Sequence, residues 1–185
     1  MSASDRTFLV MALVAFGVLA AGVAWTSPLA RRIWAPASLA LLLAAGATAA
    51  TVGPELDMGD GQTILVVALG GLLAIAGGGP LTSLVFDLVD RREPPAESLE
   101  HAGHVLRGGA WIGGLERAAI YATLVAGWPE GLAIVLAVKG LGRYPELRAA
   151  EDGIRTGAAE RFIIGTFASV LWACAAAGVV VLVRP

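Results

Sequence analysis

The chain is predicted to be an all-α, polytopic membrane bundle of about six transmembrane helices, forming one domain over residues 1–185. Three observations carry that reading. Hydrophobic residues make up 57% of the sequence and charged residues only 15%, against roughly 45–50% and about 25% in a water-soluble domain. The apolar residues fall in runs long enough to cross hydrocarbon, and mean hydropathy is +0.75. Basic residues gather in alternate connections, as membrane topology demands.

The spans follow in order. Residues 7–26 and 33–52 each supply about 20 residues, enough to cross a core of about 30 Å at 1.5 Å per residue. Span 1 is expected to be retained rather than cleaved as a signal peptide. Asp5 offsets Arg6 in its leading segment, its apolar stretch is long, and Arg31 and Arg32 follow it. The third stretch covers 63–88. Gly77-Gly78-Gly79-Pro80 is expected to break it, with Pro80 opening a short amphipathic helix that puts Ser83, Asp87 and Asp90 on one stripe. Gly70, Ala74 and Gly78 form a small-residue stripe suited to close packing. Residues 111–126 and 129–144 reach only about 24 Å each. With the turn Gly127-Trp128-Pro129-Glu130 between them, they read as one helical hairpin inserted together. Four full spans plus a re-entrant hairpin is the alternative. Residues 161–183 form the last span.

Charge sets orientation. Arg31 and Arg32 follow span 1, Arg91, Arg92 and Arg107 follow span 3, and Arg143, Arg148, Arg155 and Arg161 flank the loop after span 5. Only Arg6 and Arg184 fall on the other side, where Glu55, Asp57, Asp60 and Glu130 lie. The positive-inside rule then puts both termini outside a bacterial cytoplasmic membrane. A net charge of −2 gives no reason to expect nucleic acid. The single cysteine, Cys174, has no intramolecular disulfide partner and reads as a small packing residue.

The candidate site is a cluster of ionisable residues inside apolar segments. A charge at bilayer depth costs roughly 2.5–3.5 kcal/mol on insertion scales, so it persists when paired, close to water or needed. Glu116 and Arg117 are adjacent and point about 100° apart on a helix. Lys139 and Arg143 share a helical face. The antiparallel hairpin brings Glu116 and Lys139 to similar depth, so they are expected to pair. Arg117, Arg143 and Arg161 are then left over, and with Glu160 the cluster sums to +2. Thr166 and Ser169, three apart on the last span, would add hydroxyl contacts. Such a surplus suits a carboxylate, a phosphate or an anionic lipid head group. Interfacial snorkelling and a helix-locking ion pair are the structural alternative.

Other chemistry finds little support. Glu97, Glu100, His101 and His104 lie between spans 3 and 4, but two histidines three apart supply at most half of a metal's ligands. No metal or cofactor is expected. The Gly-x-Ser-x-Gly, His-Glu-x-x-His and Walker patterns do not occur, and no catalytic residue stands out.

Three blocks carry a resemblance. They are 109–117 with Trp111-Ile112-Gly113-Gly114-Leu115-Glu116-Arg117, 137–147 with Lys139-Gly140-Leu141-Gly142-Arg143, and 160–169 with Glu160-Arg161-Phe162-Ile163-Ile164-Gly165-Thr166. Together they resemble an uncharacterised family of bacterial multi-pass membrane proteins over roughly 107–175. The resemblance implies a helical inner-membrane protein and brings no activity. The leading expectation is a small membrane protein that binds or conducts an anionic small molecule or lipid head group at the cytoplasmic ends of spans 4–6. The others are a non-catalytic anchor or regulatory subunit of a larger complex, and an intramembrane lipid-modifying enzyme. Expected partners are membrane lipids, further copies of the chain or a membrane complex.

Overall fold

Six helices make up the described residues, which are 3–52, 58–92, 109–149 and 152–184 of a computed structural model. In chain order they are α1 (Ala3–Val23), α2 (Pro28–Val52), α3 (Asp60–Arg92), α4 (Gly109–Val125), α5 (Glu130–Ala149) and α6 (Asp152–Val183). No strand occurs among the described residues. The all-helical class is therefore as expected. Glu97, Glu100, His101 and His104 lie outside the described residues.

Turn chemistry sets the helix ends. The Thr26 amide and hydroxyl both donate to the Val23 carbonyl, at 3.0 and 2.8 Å, and close α1. Ser27 then caps α2, its Oγ accepting from the Ala30 amide at 3.1 Å, with Pro28 at the first helical position. The Gln62 side chain reaches back to the Gly59 amide at 3.2 Å and caps α3. At the end of α4, Trp128 N–H donates to Thr123 O at 2.8 Å and Gly127 N–H to Leu124 O at 3.1 Å. That pattern needs a left-handed residue, supplied by Gly127 at φ 75°. The expected turn at 127–130 is thus where α4 ends and α5 begins.

Helices α3 and α6 form the centre. Helix α3 packs on α1, α2, α4 and α6, and α6 also touches α2 and α4. Helices α1 and α2 make the most extensive pair. Thr7, Val10, Val14 and Ala21 of α1 are buried, as are Ala35, Ser38, Leu42, Ala45 and Ala49 of α2. Their three- and four-residue spacing is the seam of two antiparallel helices packed nearly side by side, and the small residues let the axes approach. Helix α5 lies outside, against α4 and more thinly α6, and among the described residues contributes none to the buried core.

Four helices, α1, α2, α3 and α6, are long and apolar enough to cross a membrane. Their outer surface matches that reading, since Phe8, Phe16, Leu43, Ile64, Leu72, Phe167 and Leu171 are all exposed, a distribution a water-soluble monomer avoids. Helix α4 has 17 residues. Helix α5 has 20 but carries Glu130, Lys139, Arg143, Glu146 and Arg148.

One expectation is corrected. Gly77-Gly78-Gly79-Pro80 does not break the third helix, because α3 is continuous over 33 residues with Pro80 inside it. Proline removes the amide that would bond to the carbonyl four residues earlier, here Ala76. The indole Nε1–H of Trp25 takes its place, donating to Ala76 O at 2.9 Å. A donor from outside the helix thus satisfies the group that proline leaves open. The Ser83, Asp87 and Asp90 stripe is the last part of the same long helix. Helix ends also differ: α2, α3 and α6 begin ahead of the expected starts of spans 2, 3 and 6, and α5 runs past Pro145 to Ala149.

Candidate functional site

Gly77, Gly78 and Gly79 point about 100° apart around α3, and at each a foreign side chain lies against backbone. A Cβ at Gly77 would overlap Trp172, one at Gly78 would overlap Arg117, and one at Gly79 would overlap Trp25. Each visitor donates to an α3 carbonyl. Trp172 Nε1–H reaches Leu73 O at 2.9 Å, and Trp25 Nε1–H reaches Ala76 O. Arg117 Nε–H and Nη2–H both reach Ile75 O, at 3.1 and 2.8 Å. Tyr121, one turn further along α4, donates to Val67 O at 2.6 Å. A side-chain donor buried among apolar helices has no water to turn to, so backbone carbonyls laid open by missing Cβ atoms are the available acceptors.

Arg117 is the deepest charge, with only 4% of its surface exposed. Its remaining terminal nitrogen, Nη1, donates to Ser169 Oγ at 3.2 Å. The fork is therefore held by one carbonyl and one hydroxyl, and among the described residues no carboxylate forms an ion pair with it. Its neighbour Glu116 points elsewhere, as the 100° offset requires, and pairs with Lys139 on α5. Both members of that pair are largely covered, at 15% and 17% exposure. Lys139 Nζ also lies 5.9 Å from the centre of the Phe162 ring, within cation–π range.

Arg161, expected to be spare, is not. It pairs with Asp90 and lies 5.6 Å from the centre of the Phe86 ring. Both partners come from α3, whose unbroken course carries Asp90 to this end of the bundle. Arg117 is likewise occupied, by neutral acceptors. The Arg143 side chain lies outside those described. Glu160 is exposed. Thr166 does not join Ser169 on Arg117, and its Oγ1 is buried without a hydrogen-bond partner. The site thus differs from the expected pool of free cations. Glu116–Lys139 ties α4 to α5, and Asp90–Arg161 ties α3 to α6. A third pair, Arg31 with Asp87 at 3.4 Å, ties α2 to α3 at the same end.

Sequence reasoning missed Asp87, Asp90, Trp25 and Trp172 as members of this arrangement. Signals for them existed. Both acids share one helical stripe with Ser83, which marks a polar face but names no partner. The two indoles lie in or beside apolar runs, where each N–H needs an acceptor. Among the described residues no group of three or more His, Cys, Asp or Glu is placed to hold a metal ion. The chain matches no protein-family model, no curated protein and no solved structure. Its functional reading therefore rests on its own residues.

Proposed function

We propose that the protein is a six-span component of a bacterial cytoplasmic membrane, with α4 and α5 inserted together and both termini outside. In this reading it binds or conducts an anionic small molecule or lipid head group at the charged end of α4, α5 and α6. The observation that carries the proposal is Arg117, a buried cation with no carboxylate on it, beside acids already matched one-to-one by Lys139 and Arg161. Glu160 offsets Arg117 in the sum, so Arg143 is what leaves this group of residues with one net positive charge, and an arriving anion meets a favourable field that low dielectric strengthens. The Glu116–Lys139 pair is the gate in this scheme. Lys139 can leave Glu116 for an incoming anion, with Phe162 still beside it.

The test is thermal unfolding of the purified chain in neutral detergent, with phosphatidylglycerol or the zwitterionic phosphatidylcholine added. An anionic lipid at about 100 times its Kd would stabilise by about 2.7 kcal/mol, or roughly 5–10 °C for a chain of this size. The shift should shrink in Lys139→Gln and Arg161→Gln. Equal shifts from both lipids would end the proposal. Conduction is read separately, as anion flux into vesicles that hold the protein.

A second reading, an anchor or regulatory subunit, draws on α5. Among the described residues that helix contributes nothing to the core, and it exposes Ile134, Val138 and Leu141. Cross-linking from position 138 in membranes separates the two, since a subunit or oligomer gives a discrete adduct and a lipid-facing helix gives none.

A further inference from the structure

We infer that a cleft between the α1–α2 turn and the second half of α3 binds a phosphate-ester head group with an acyl chain attached. This site is separate from the α4–α6 cluster. The cleft has a volume of about 210 Å³ and is lined by Trp25, Ser27, Arg31, Pro80 and Ser83 among others. That is far more than the roughly 10–15 Å³ that admits one water. Arg31 is its cation. One terminal nitrogen reaches Asp87 at a long 3.4 Å, while Nε is buried with no hydrogen-bond partner. A guanidinium with a donor unmet and a loose ion pair has capacity for an oxyanion, which its planar fork matches.

A second hollow, about 310 Å³, is lined by Arg32, Pro36, Leu84, Asp87 and Leu88. Asp87 joins the two, because it lines the second and bonds to the arginine of the first. The second hollow is apolar apart from Arg32 and Asp87, and Leu88 is 53% exposed. The juxtaposition assigns the parts. Polar groups around Arg31 take the phosphate, and Leu84, Leu88, Pro36 and the Arg32 stem take the first carbons of a chain. Arg31 and Arg32 against Asp87 leave one net positive charge, which suits a singly charged phosphodiester.

The experiment measures binding to the full chain in neutral detergent by native mass spectrometry. Phosphatidylglycerol, diacylglycerol and inorganic phosphate are the three probes. Phosphatidylglycerol should be retained, diacylglycerol should bind at least tenfold more weakly, and inorganic phosphate should not compete at millimolar concentration. Arg31→Gln should weaken phosphatidylglycerol at least tenfold, and Leu84→Trp, which fills the apolar hollow, should do the same. Asp87→Asn should tighten it severalfold by removing the repelling carboxylate, whereas a merely structural Asp87 gives weakening or no change. A melting curve for each variant checks folding, and the double change Arg31→Gln/Asp87→Asn removes both charges together should the single one fail to fold. Phosphatidylglycerol binding that survives Arg31→Gln and Leu84→Trp but is lost in Lys139→Gln would overturn this site and leave the α4–α6 reading standing. Full competition by inorganic phosphate would overturn the acyl-chain assignment and point to a soluble phosphate ester.

Discussion

Arg117 shows how a buried charge is kept without a carboxylate. Its Nε and Nη2 share Ile75 O, Nη1 uses Ser169, and Gly78 makes the room. Hydrogen bonds to a charged group contribute about 1.5–3 kcal/mol, and lysine cannot reproduce the fork. Arg117→Lys should therefore lower stability by about 1–3 kcal/mol, and Ser169→Ala by about 1 kcal/mol or less, since interhelical hydrogen bonds within membranes average about 0.6. Unfolding in a graded mixture of mild and denaturing detergent reads both changes. A lysine variant as stable as the parent would show that the fork contacts contribute nothing. Glu116 and Lys139 make the second residue-scale case. Removing one partner strands a mostly covered charge, so Glu116→Gln and Lys139→Met should each cost more than the pair changed together. Additive losses in that double-mutant cycle would mean the two do not interact. This pairing was legible in the sequence because a short hairpin leaves little choice of partner at equal depth. The partner of Arg161 was not, because Asp90 is 71 positions away and reaches it only through the unbroken course of α3.

At the scale of elements, α3 is the helix on which α1, α2, α4 and α6 are hung. Proline and three glycines in a row ordinarily signal a break, and here the glycines are docking points on three sides of one helix. Trp25 stands in for the amide that Pro80 lacks, so the two residues should be coupled. Trp25→Phe should destabilise the parent by about 1 kcal/mol, the usual net value of a hydrogen bond. It should do so by less in a Pro80→Ala background, where an amide at position 80 can reach Ala76 O. Equal losses in both backgrounds would remove the compensation argument. The glycines divide in the same way. A Cβ at Gly77 would overlap the Trp172 ring, while one at Gly22 or Gly140 meets nothing within 4 Å. Gly77→Ala should cost about 1–3 kcal/mol through overpacking. Gly22→Ala and Gly140→Ala should be neutral or stabilising by up to about 1 kcal/mol, the helix-propensity gain. Midpoints of thermal unfolding would rank the three.

For the molecule as a whole, three ion pairs and the buried arginine gather toward one end of the bundle, where α1, α3 and α5 finish and α2, α4 and α6 start. The opposite end is marked by the Gly127 turn and by Arg184, whose Nη1 donates to Val125 O at 2.6 Å. The proposed topology puts these ends on opposite faces of the membrane. In a Cys174→Ala background, a cysteine at Ser27 should react with a membrane-impermeant thiol reagent only after the cell interior is opened. One at Trp128 should react in intact cells. Labelling of both from the same side would require the short α4–α5 hairpin to be re-entrant and would reduce the span count.

Residue order was enough for the helical class, the four long apolar helices, the turn at Gly127 and the pairing of Glu116 with Lys139. Each of these depends on composition, on helical rise or on contacts within a few tens of residues. Long-range partners settled the rest. Whether Gly77–Pro80 ends a helix or seats Trp172, Arg117 and Trp25 depends on donors brought by three other segments. Whether Arg161 is spare depends on an acid delivered by a helix that did not break. Local backbone preference is weak beside the cost of leaving a buried donor or acceptor unmet, so the packing of distant helices overrode the local breaking signal.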